Sequence, residues 1–467
     1  MRPALVPPAH GRAGPPDRKD HPVSTTSEKD QQVHEHHALE LESEFEHEPV
    51  PLSRRRSLGS VSAVWFGFPM IITNAVFGGT TVYGLGFWRG ISAIVIGNII
   101  LLVYVGSLSY IAGRTGKNFA LTAAETFGRH GATIAAGFLS TVVIGWFAFQ
   151  TGLTGSTLHT SLGLNETWMI LIAGVLYIAI TFIGIRALTV IGLIAAPMFV
   201  VLAVVALVLA ARNGGLSGIT SYQGGGPGAT VFSLGAAVTI TIAGFADSGT
   251  MTADFTRWSR SGREAVMAAF TAFPVANFIS LLVGGLVVAA GKAVDPATNG
   301  GDFLPILTSH GPVLSVIAVV FVFANLGSVC CHCLYNGAVG WSQLTGGKMR
   351  VLTVVLGLVG LVAALAGVWS YFSDWLNLLG IFVPPIGAIL IVDQVLRRRG
   401  GVRAVRAWRP APFVAWAVAS IGSYAVHVFA PQLSEAVAGL VLGGVVYAVI
   451  DALSPSTAPE PASVPAA

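Results

Sequence analysis

The chain has 467 residues, of which 53% are hydrophobic and only 10% are charged. A soluble domain usually carries about a quarter of its residues as charged side chains, so this composition excludes an ordinary water-soluble protein and indicates a surface that faces lipid. The formal net charge of +4 would suit a nucleic-acid partner, but the cations stand in short loops between apolar runs, where they orient membrane segments. No nucleic-acid partner is therefore expected.

The first 57 residues are polar and rich in Pro, His and Glu. They contain too little apolar material to offset the entropy that is lost on ordering, so residues 1–57 are predicted to be a disordered cytoplasmic tail. Arg54, Arg55 and Arg56 directly precede the first apolar run and should hold the amino terminus in the cytoplasm. Residues 454–467 are predicted to form a second disordered cytoplasmic tail.

Twelve apolar runs of about 20 residues follow, the length that crosses a bilayer as a helix. The sequence therefore predicts an all-α integral membrane protein with about twelve transmembrane helices. The predicted spans, numbered 1 to 12 in chain order, are 59–83, 91–113, 132–156, 167–185, 187–211, 231–254, 264–291, 312–335, 350–367, 376–395, 411–430 and 435–453.

The positive residues follow this topology. Eighteen Lys and Arg residues lie in the predicted cytoplasmic connections, five in the distal amino-terminal tail, and three on the opposite side. Such an asymmetry is typical of a correctly counted membrane topology. It predicts a multi-pass protein of the cell inner membrane with both termini in the cytoplasm.

Two spans carry glycine-rich stretches that can interrupt a helix. Span 1 contains Phe77-Gly78-Gly79, and span 6 contains Gly244 to Gly249. They lie five spans apart, as an inverted five-plus-five repeat requires, and interrupted helices in matching positions mark a transporter's binding site. Glycine is also common in membrane helices for close packing, and the pattern alone does not decide between the two interpretations.

Asp247 lies well inside span 6 among apolar and small residues. A carboxylate at mid-membrane is unfavourable by about 2.5–3.5 kcal/mol or more, so it needs a proton, a cation, a donor-rich substrate or another side chain. No Lys or Arg lies at similar depth in any predicted span, which favours a proton, a sodium ion or a ligand over an internal ion pair. A protonated carboxyl that is hydrogen-bonded inside the bundle is the structural alternative.

Two aromatic side chains stand at similar depth. Trp146 lies near the middle of span 3, and Phe245 lies two residues before Asp247. Such a pair can hold a planar ring, since stacking contributes about 0.5–1.5 kcal/mol beyond burial. Aromatic residues also fill helix bundles without any ligand, so this pattern is only suggestive.

Span 8 carries a cluster of polar residues: Asn325, Ser328, Cys330, Cys331, His332 and Cys333. Asn325 and Ser328 share a helix face and offer oxygen ligands that suit a hard cation such as sodium. The Cys-Cys-His-Cys string resembles a metal site, but consecutive helical residues diverge by about 100° and no second Cys or His cluster exists to complete one. No metal is therefore expected. Three roles stay open for His332: it lines the pathway, it titrates, or it forms a hydrogen bond across the bundle.

Several motifs together resemble the nucleobase:cation symporter-1 family, in its cytosine and purine permease branch. They are Gly97-Asn98, residues 110–116 (YIAGRTG), Phe127-Gly128, Gly145-Trp146-Phe147, residues 248–257 (SGTMTADFTR) and Leu334-Tyr335. The clear motifs cover about residues 60–345.

This resemblance implies a LeuT-like fold, with a transport core of spans 1–10 over residues 58–395 and two extra helices, spans 11 and 12, over residues 396–453. It implies sodium- or proton-coupled uptake of a planar nitrogen heterocycle such as cytosine, with no cofactor beyond the coupling ion, by a protein expected to be a monomer. Trp146 and Phe245 match the two aromatic residues that hold the substrate. Asn325 and Ser328 match sodium ligands, completed by backbone carbonyls near Phe77 and Gly78.

The chain also departs from the family pattern. Asp247 replaces a serine, Val329 replaces a hydroxyl of the sodium site, Val143 stands in place of a polar amide, and Cys330 and His332 stand where asparagines are expected. The substrate site is thus expected to include Trp146, Phe245, Asp247, Phe77, Cys330 and His332. Asp247 is hypothesised to take up the coupling proton or to bind the N–H groups of the substrate.

Three alternatives remain at this point. A carrier of a cationic or amino-acid-like compound on the same fold is favoured by Asp247. A membrane enzyme has no support, because the sequence has no nucleophile–base pair, HExxH or phosphate-binding loop. A non-transporting sensor would use the amino-terminal tail to recruit partners.

Overall fold

The computed structural model describes residues 44–212, 217–231, 233–297, 299–400 and 406–454. Within these ranges nine helices are long and apolar enough to cross a membrane, and a bent pair of helices is a tenth candidate. The remaining two predicted spans correspond to shorter apolar helices, Leu234–Ala243 and Met349–Leu365. Each of the twelve predicted spans therefore lies on an apolar helix or on a broken one.

The helices keep the predicted order. Span 1 comprises span 1a, Leu58–Gly67, and span 1b, Ile72–Leu85, and span 6 comprises span 6a, Leu234–Ala243, and span 6b, Ala246–Thr250. The unbroken spans 2, 3, 4, 5, 7, 8, 9, 10, 11 and 12 are Phe87–Thr115, Gly131–Leu162, Glu166–Ile183, Ile185–Arg212, Gly262–Ala289, Pro312–Thr345, Met349–Leu365, Phe372–Gly400, Pro410–Phe429 and Glu435–Leu453. Short helices Phe119–Phe127, Ala253–Thr256 and Leu304–Thr308 lie in the connections.

Span 1 bends by 56° at its break. The break lies at residues 68–71, where Pro69 has no N–H to continue the helical ladder. The prediction of an interruption at Phe77-Gly78-Gly79 is therefore wrong, because these residues lie inside the helix of span 1b. Gly78 serves close packing instead, since a Cβ there would lie 1.8 Å from the Leu281 carbonyl oxygen in span 7.

Span 6 breaks where the sequence predicted. Span 6a ends at Ala243, and Phe245 adopts a non-helical backbone conformation with φ −135° and ψ 16° before span 6b begins. The breaks in spans 1 and 6 thus lie five spans apart. Irregular backbone at membrane depth is tolerated only where it is buried in protein or lines a cavity, so the two breaks mark where the functional site should be sought.

Residues 44–57, here called the strap, pack on the ends of several spans. The Glu44 side chain is only 3% exposed. It accepts hydrogen bonds from the Tyr335 hydroxyl at 2.9 Å and from the backbone N–H of Ile185 at 3.2 Å. Burial raises the pKa of Glu44 above its ordinary value, although these hydrogen bonds and the nearby Arg257 act in the opposite direction.

Two further features hold the strap in place. Arg257, directly after the short helix Ala253–Thr256, donates to the carbonyl oxygens of Glu44 and Phe45 at 2.8 and 2.7 Å. Gly184 has a φ of +95°, and a Cβ there would lie 1.9 Å from a Glu44 carboxylate oxygen, so the loop between spans 4 and 5 needs glycine. The prediction of disorder over residues 1–57 is therefore wrong for residues 44–57. Residues 1–43 and 455–467, the rest of the predicted tails, lie outside the described residues.

Candidate functional site

A narrow cavity, with room for about one water molecule, lies at the breaks in spans 1 and 6. Four spans supply its walls, namely spans 1, 3, 6 and 8. The lining residues are Phe68, Ile71, Thr73, Asn74, Phe77, Trp146, Gln150, Gly244, Phe245, Ser248, Val329 and Cys333. Such a site combines aromatic faces with a few polar groups, as small-molecule sites commonly do.

Three of the predicted substrate residues line this cavity: Trp146, Phe245 and Phe77. Trp146 and Phe245 are 4% and 3% exposed, so their rings are withdrawn from both membrane faces. Phe245 is held edge-to-face against Phe68, with ring centroids 5.4 Å apart. The structure therefore brings the predicted aromatic residues together, and their contact with a substrate stays a prediction.

Gln150 also lines the cavity, and the sequence reasoning missed it. Its side-chain oxygen accepts a hydrogen bond from the Thr73 hydroxyl at 2.8 Å, which links spans 3 and 1 across the cavity wall. Among the described residues its amide nitrogen has no acceptor, so both of its N–H bonds remain for a ligand. The spacing in the sequence could have indicated it, because Gln150 follows Trp146 by one helical turn and therefore lies on the same face of span 3.

Span 8 presents a different face to the cavity from the one predicted. Val329 and Cys333, one turn apart, line the cavity. Cys330 is rotated away by about 100°, toward Thr151, whose hydroxyl lies 3.6 Å from its sulfur. His332 stacks on Phe68 at 4.9 Å, and its Nδ1–H donates to the Ser328 carbonyl oxygen. The placement of Cys330 and His332 in the cavity wall is therefore wrong.

Asp247 is fully buried but does not line the cavity. One carboxylate oxygen accepts the backbone N–H of Ser248 at 2.7 Å, and the other has no hydrogen-bond partner among the described residues. Trp146, a cavity residue, lies close to the same carboxylate. Asp247 thus lies outside the cavity wall, next to a residue that lines it, and its role toward a substrate stays a prediction.

Asn325 and Ser328 face the break in span 1. The Asn325 amide donates to the Met70 carbonyl oxygen at 2.7 Å, and its oxygen accepts the backbone N–H of Ile72 at 2.9 Å. Ser328 donates to the Gly67 carbonyl oxygen at 3.4 Å. These contacts satisfy backbone groups that the break leaves without helical partners.

The predicted completion of a cation site by carbonyls near Phe77 and Gly78 is therefore wrong. Those carbonyls belong to the continuous helix of span 1b, whereas the carbonyls of Gly67 and Met70 meet the Asn325–Ser328 pair. The error follows directly from misplacing the break. In the part of the chain that the structure describes, no three His, Cys, Asp or Glu side chains come together as they would around a metal ion.

The chain was compared with known proteins. A family model described as "Permease for cytosine/purines, uracil, thiamine, allantoin" matches residues 49–426. The cytosine permease of Escherichia coli strain K12 is 30% identical over 363 residues, which cover 77% of this chain and 83% of that protein. A purine-uracil permease NCS1 of Arabidopsis thaliana is 28% identical over 110 residues, 23% of this chain and 18% of that protein.

Solved structures share the fold. Mhp1, a nucleobase-cation-symport-1 family transporter in a closed conformation with bromovinylhydantoin bound, superposes with a TM-score of 0.71 at 20% identity, covering 87% of this chain and 94% of Mhp1. A Na⁺-coupled sialic acid symporter gives a TM-score of 0.65 at 15% identity, covering 86% of this chain and 91% of that one. The LeuT-like transporter fold implied by the sequence motifs is thereby confirmed. Because the family model covers most of the chain and a cytosine permease aligns over three quarters of it, this chain belongs to the nucleobase-cation-symport-1 family of cytosine and purine permeases.

Proposed function

We propose that this chain carries a nucleobase such as cytosine, or a related planar nitrogen heterocycle, across the cytoplasmic membrane by cation-coupled symport. The observation that carries the proposal is the cavity at the paired breaks of spans 1 and 6, with Trp146, Phe245 and Gln150 in its wall. The protein is a permease and not an enzyme. It acts as a monomer in the inner membrane with both termini in the cytoplasm, in keeping with the loop charges.

The cavity wall supports recognition of a flat, polar ring. Trp146 and Phe245 supply aromatic faces for stacking, worth about 0.5–1.5 kcal/mol beyond burial. The free N–H bonds of Gln150 are donors for a ring carbonyl or ring nitrogen. Asn74 lines the same cavity, but its amide already donates to the Pro69 carbonyl oxygen and to Asn277 at 2.6 and 2.9 Å. Gln150 is therefore the principal polar contact for the substrate.

Two sites are candidates for the coupling cation. Sodium would bind between span 8 and the break in span 1, with Ser328 and the carbonyl oxygens of Gly67 and Met70 as ligands. A proton would bind Asp247. The proton is favoured, because the Asn325 amide already satisfies the break, Val329 offers no oxygen, and Asp247 has a buried oxygen without a hydrogen-bond partner among the described residues.

The contacts that close the cavity indicate which helices must move during alternating access. On its cytoplasmic side a cluster of aromatic rings packs beneath Phe68, with Trp65 at 5.4 Å and His332 at 4.9 Å. Beyond it the strap joins spans 5, 6 and 8 through Ile185, Arg257 and Tyr335. Release to the cytoplasm requires span 1a and the end of span 6 to move away from span 8, which is rocking of one helix group against the other.

Two alternatives are kept as outcomes of the test. A carrier of cationic or amino-acid-like compounds would need Asp247 in direct contact with its substrate, but Asp247 stands behind the cavity wall. A non-transporting sensor would show no uptake at all.

The test is uptake of labelled cytosine, uracil, adenine, hypoxanthine and hydantoin into cells that lack their own permeases, with and without sodium, at pH 5.5 and 7.5. Saturable uptake of one compound supports the proposal. If none is taken up although the protein is present in the membrane, the nucleobase proposal is wrong, and cationic compounds are tried next.

A further inference from the structure

An open groove runs along the outer surface of the helix bundle between spans 2, 7 and 10. Its volume is about 940 Å³ with the open side included. Its lining is mainly apolar, with Val103, Gly106 and Tyr110 from span 2, Val266, Met267 and Phe270 from span 7, and further residues from span 10. None of these residues belongs to the cavity described above, so the groove is a separate feature.

The groove opens toward the bilayer. Val103 is 66% exposed, Met267 50% and Phe270 41%, as expected for side chains that meet lipid tails. Gly106 forms the floor, and a Cβ placed there would have its nearest neighbour at 3.8 Å, the Val266 side chain. Most glycines buried between spans in this protein are in much tighter contact, such as Gly113, where a Cβ would lie 2.6 Å from that of Ala265. The floor therefore has room for a chain of methylene groups.

Two arginines stand at the cytoplasmic end of this groove. Arg114 follows Tyr110 by four residues on span 2, and its guanidinium lies 5.9 Å from the Tyr110 ring centroid. Arg263 precedes Val266 and Met267 by three and four residues on span 7, so it shares their helix face. The two helix ends touch, because a Cβ on Gly262 would lie 2.9 Å from the Arg114 side chain.

The charge of these arginines is not balanced by carboxylates. Both side chains are exposed, and neither has an ion pair among the described residues. On the span 10 side, Glu125 is already paired with Lys117 and accepts a hydrogen bond from Gln394 at 3.1 Å. Asp393 of span 10 is paired with Arg409 at 3.0 Å. Glu264 follows Arg263 in sequence but is rotated by about 100° from the groove face.

We propose that this groove binds a phospholipid with an anionic headgroup. One acyl chain lies over Gly106 between spans 2 and 7, and the phosphate lies between Arg114 and Arg263. The charge complementarity selects the lipid, since anionic lipids concentrate at basic residues near a membrane surface. Because the lipid contacts spans 2, 7 and 10 at once, it also connects helices that belong to different parts of the sequence.

The test uses the purified full chain in detergent and native mass spectrometry with phosphatidylglycerol or phosphatidylcholine of the same acyl chains. The wild type should retain phosphatidylglycerol about tenfold more strongly than phosphatidylcholine, given two basic contacts. Arg114→Gln with Arg263→Gln should abolish this preference. A matched double variant, Arg129→Gln with Arg260→Gln, removes the same charge from the same side and should keep it. Equal losses in both double variants would overturn the proposal in favour of general surface charge.

The apolar part of the groove is tested by changing the size of the side chain at position 106. Gly106→Leu fills the floor and should reduce retention of both lipids, whereas Gly106→Ala fits the available space and should not. Wild-type protein photolabelled with phosphatidylglycerol that carries a reactive group in its acyl chain gives a readout independent of any variant. Labelling of residues 102–111 or 266–270 is expected. Labelling confined to other segments would overturn the proposal. This result does not depend on the variants, because the experiment uses the wild-type protein alone.

Discussion

Gln150 shows how a single side chain can be important without being conspicuous in the sequence. It is 1% exposed and uses its oxygen to hold Thr73 across the cavity. Its two remaining N–H bonds are the only unsatisfied amide donors in the cavity wall among the described lining residues. A substrate carbonyl that pairs with them would recover the free energy lost when the amide is buried.

We therefore predict that Gln150→Ala raises the KM for the transported heterocycle by about 10- to 100-fold, because a lost hydrogen bond in a buried site costs about 1–3 kcal/mol. Initial rates of uptake at varied substrate concentration measure it. Thr154→Ala is a suitable control, since Thr154 lies one turn further along span 3 and donates to the Gln150 carbonyl oxygen from outside the cavity. An unchanged KM in Gln150→Ala would remove this residue from the substrate site.

Span 8 shows what could not be predicted at the residue scale. The sequence identified its polar residues, but which of them face the cavity depends on the rotation of the helix about its axis. That rotation is set by neighbours such as Tyr177, whose ring leaves no room for a Cβ at Gly327. Such contacts join residues 150 positions apart and leave no local signal.

The strap is the element that the sequence reasoning misjudged most. A polar, proline-containing segment normally lacks the apolar surface needed to fold. Here the stabilising contacts come from elsewhere in the chain. Arg257 follows the short helix Ala253–Thr256, and Tyr335 belongs to span 8, so composition within residues 44–57 could not reveal them. The break in span 1 was misplaced although a local signal existed, because Pro69 cannot continue the helical ladder whereas Gly78 and Gly79 only permit an interruption.

We predict that removing residues 2–43 leaves thermal stability and uptake close to those of the full chain, whereas removing residues 2–57 lowers the melting temperature. The second deletion leaves the Tyr335 hydroxyl and the Arg257 guanidinium without their hydrogen-bond partners in the strap. Each buried polar group that loses its partner lowers the free energy of unfolding by about 1–3 kcal/mol. Thermal unfolding in detergent measures this.

Glu44→Ala should reproduce part of the loss, and Glu44→Gln less of it, because a glutamine keeps an acceptor for Tyr335. If both deletions behave alike, the strap does not contribute to stability. Alkylation of Cys333, which lines the cavity, provides a second readout. It should become faster when the strap is removed, and Cys333→Ser shows which signal comes from that residue.

At the scale of the whole molecule, the number and order of the spans were predictable because each span needs about 20 apolar residues. The sidedness that the loop charges predict stays a prediction. Each error in the site stems from geometry inside the bundle instead. The rotation of span 8 and the position of the strap are set by long-range packing, which leaves no local pattern in the sequence.

The coupling ion is the property that most involves the whole molecule, and it can be read from stability. A ligand at 100 times its Kd stabilises the folded state by about 2.7 kcal/mol, and a coupled ion must increase this effect reciprocally. We predict that the rise in melting temperature caused by substrate is larger at pH 5.5 than at pH 7.5. It should not change when sodium is replaced by choline, and it should lose its pH dependence in Asp247→Asn.

Asp302→Asn is a demanding control. Burial raises the pKa of Asp302 to about 6, so this acid, which lies outside the spans, titrates between pH 5.5 and 7.5. It should leave the effect of pH on substrate binding intact. A substrate effect that requires sodium and is lost in Ser328→Ala would instead assign coupling to the junction of spans 1 and 8.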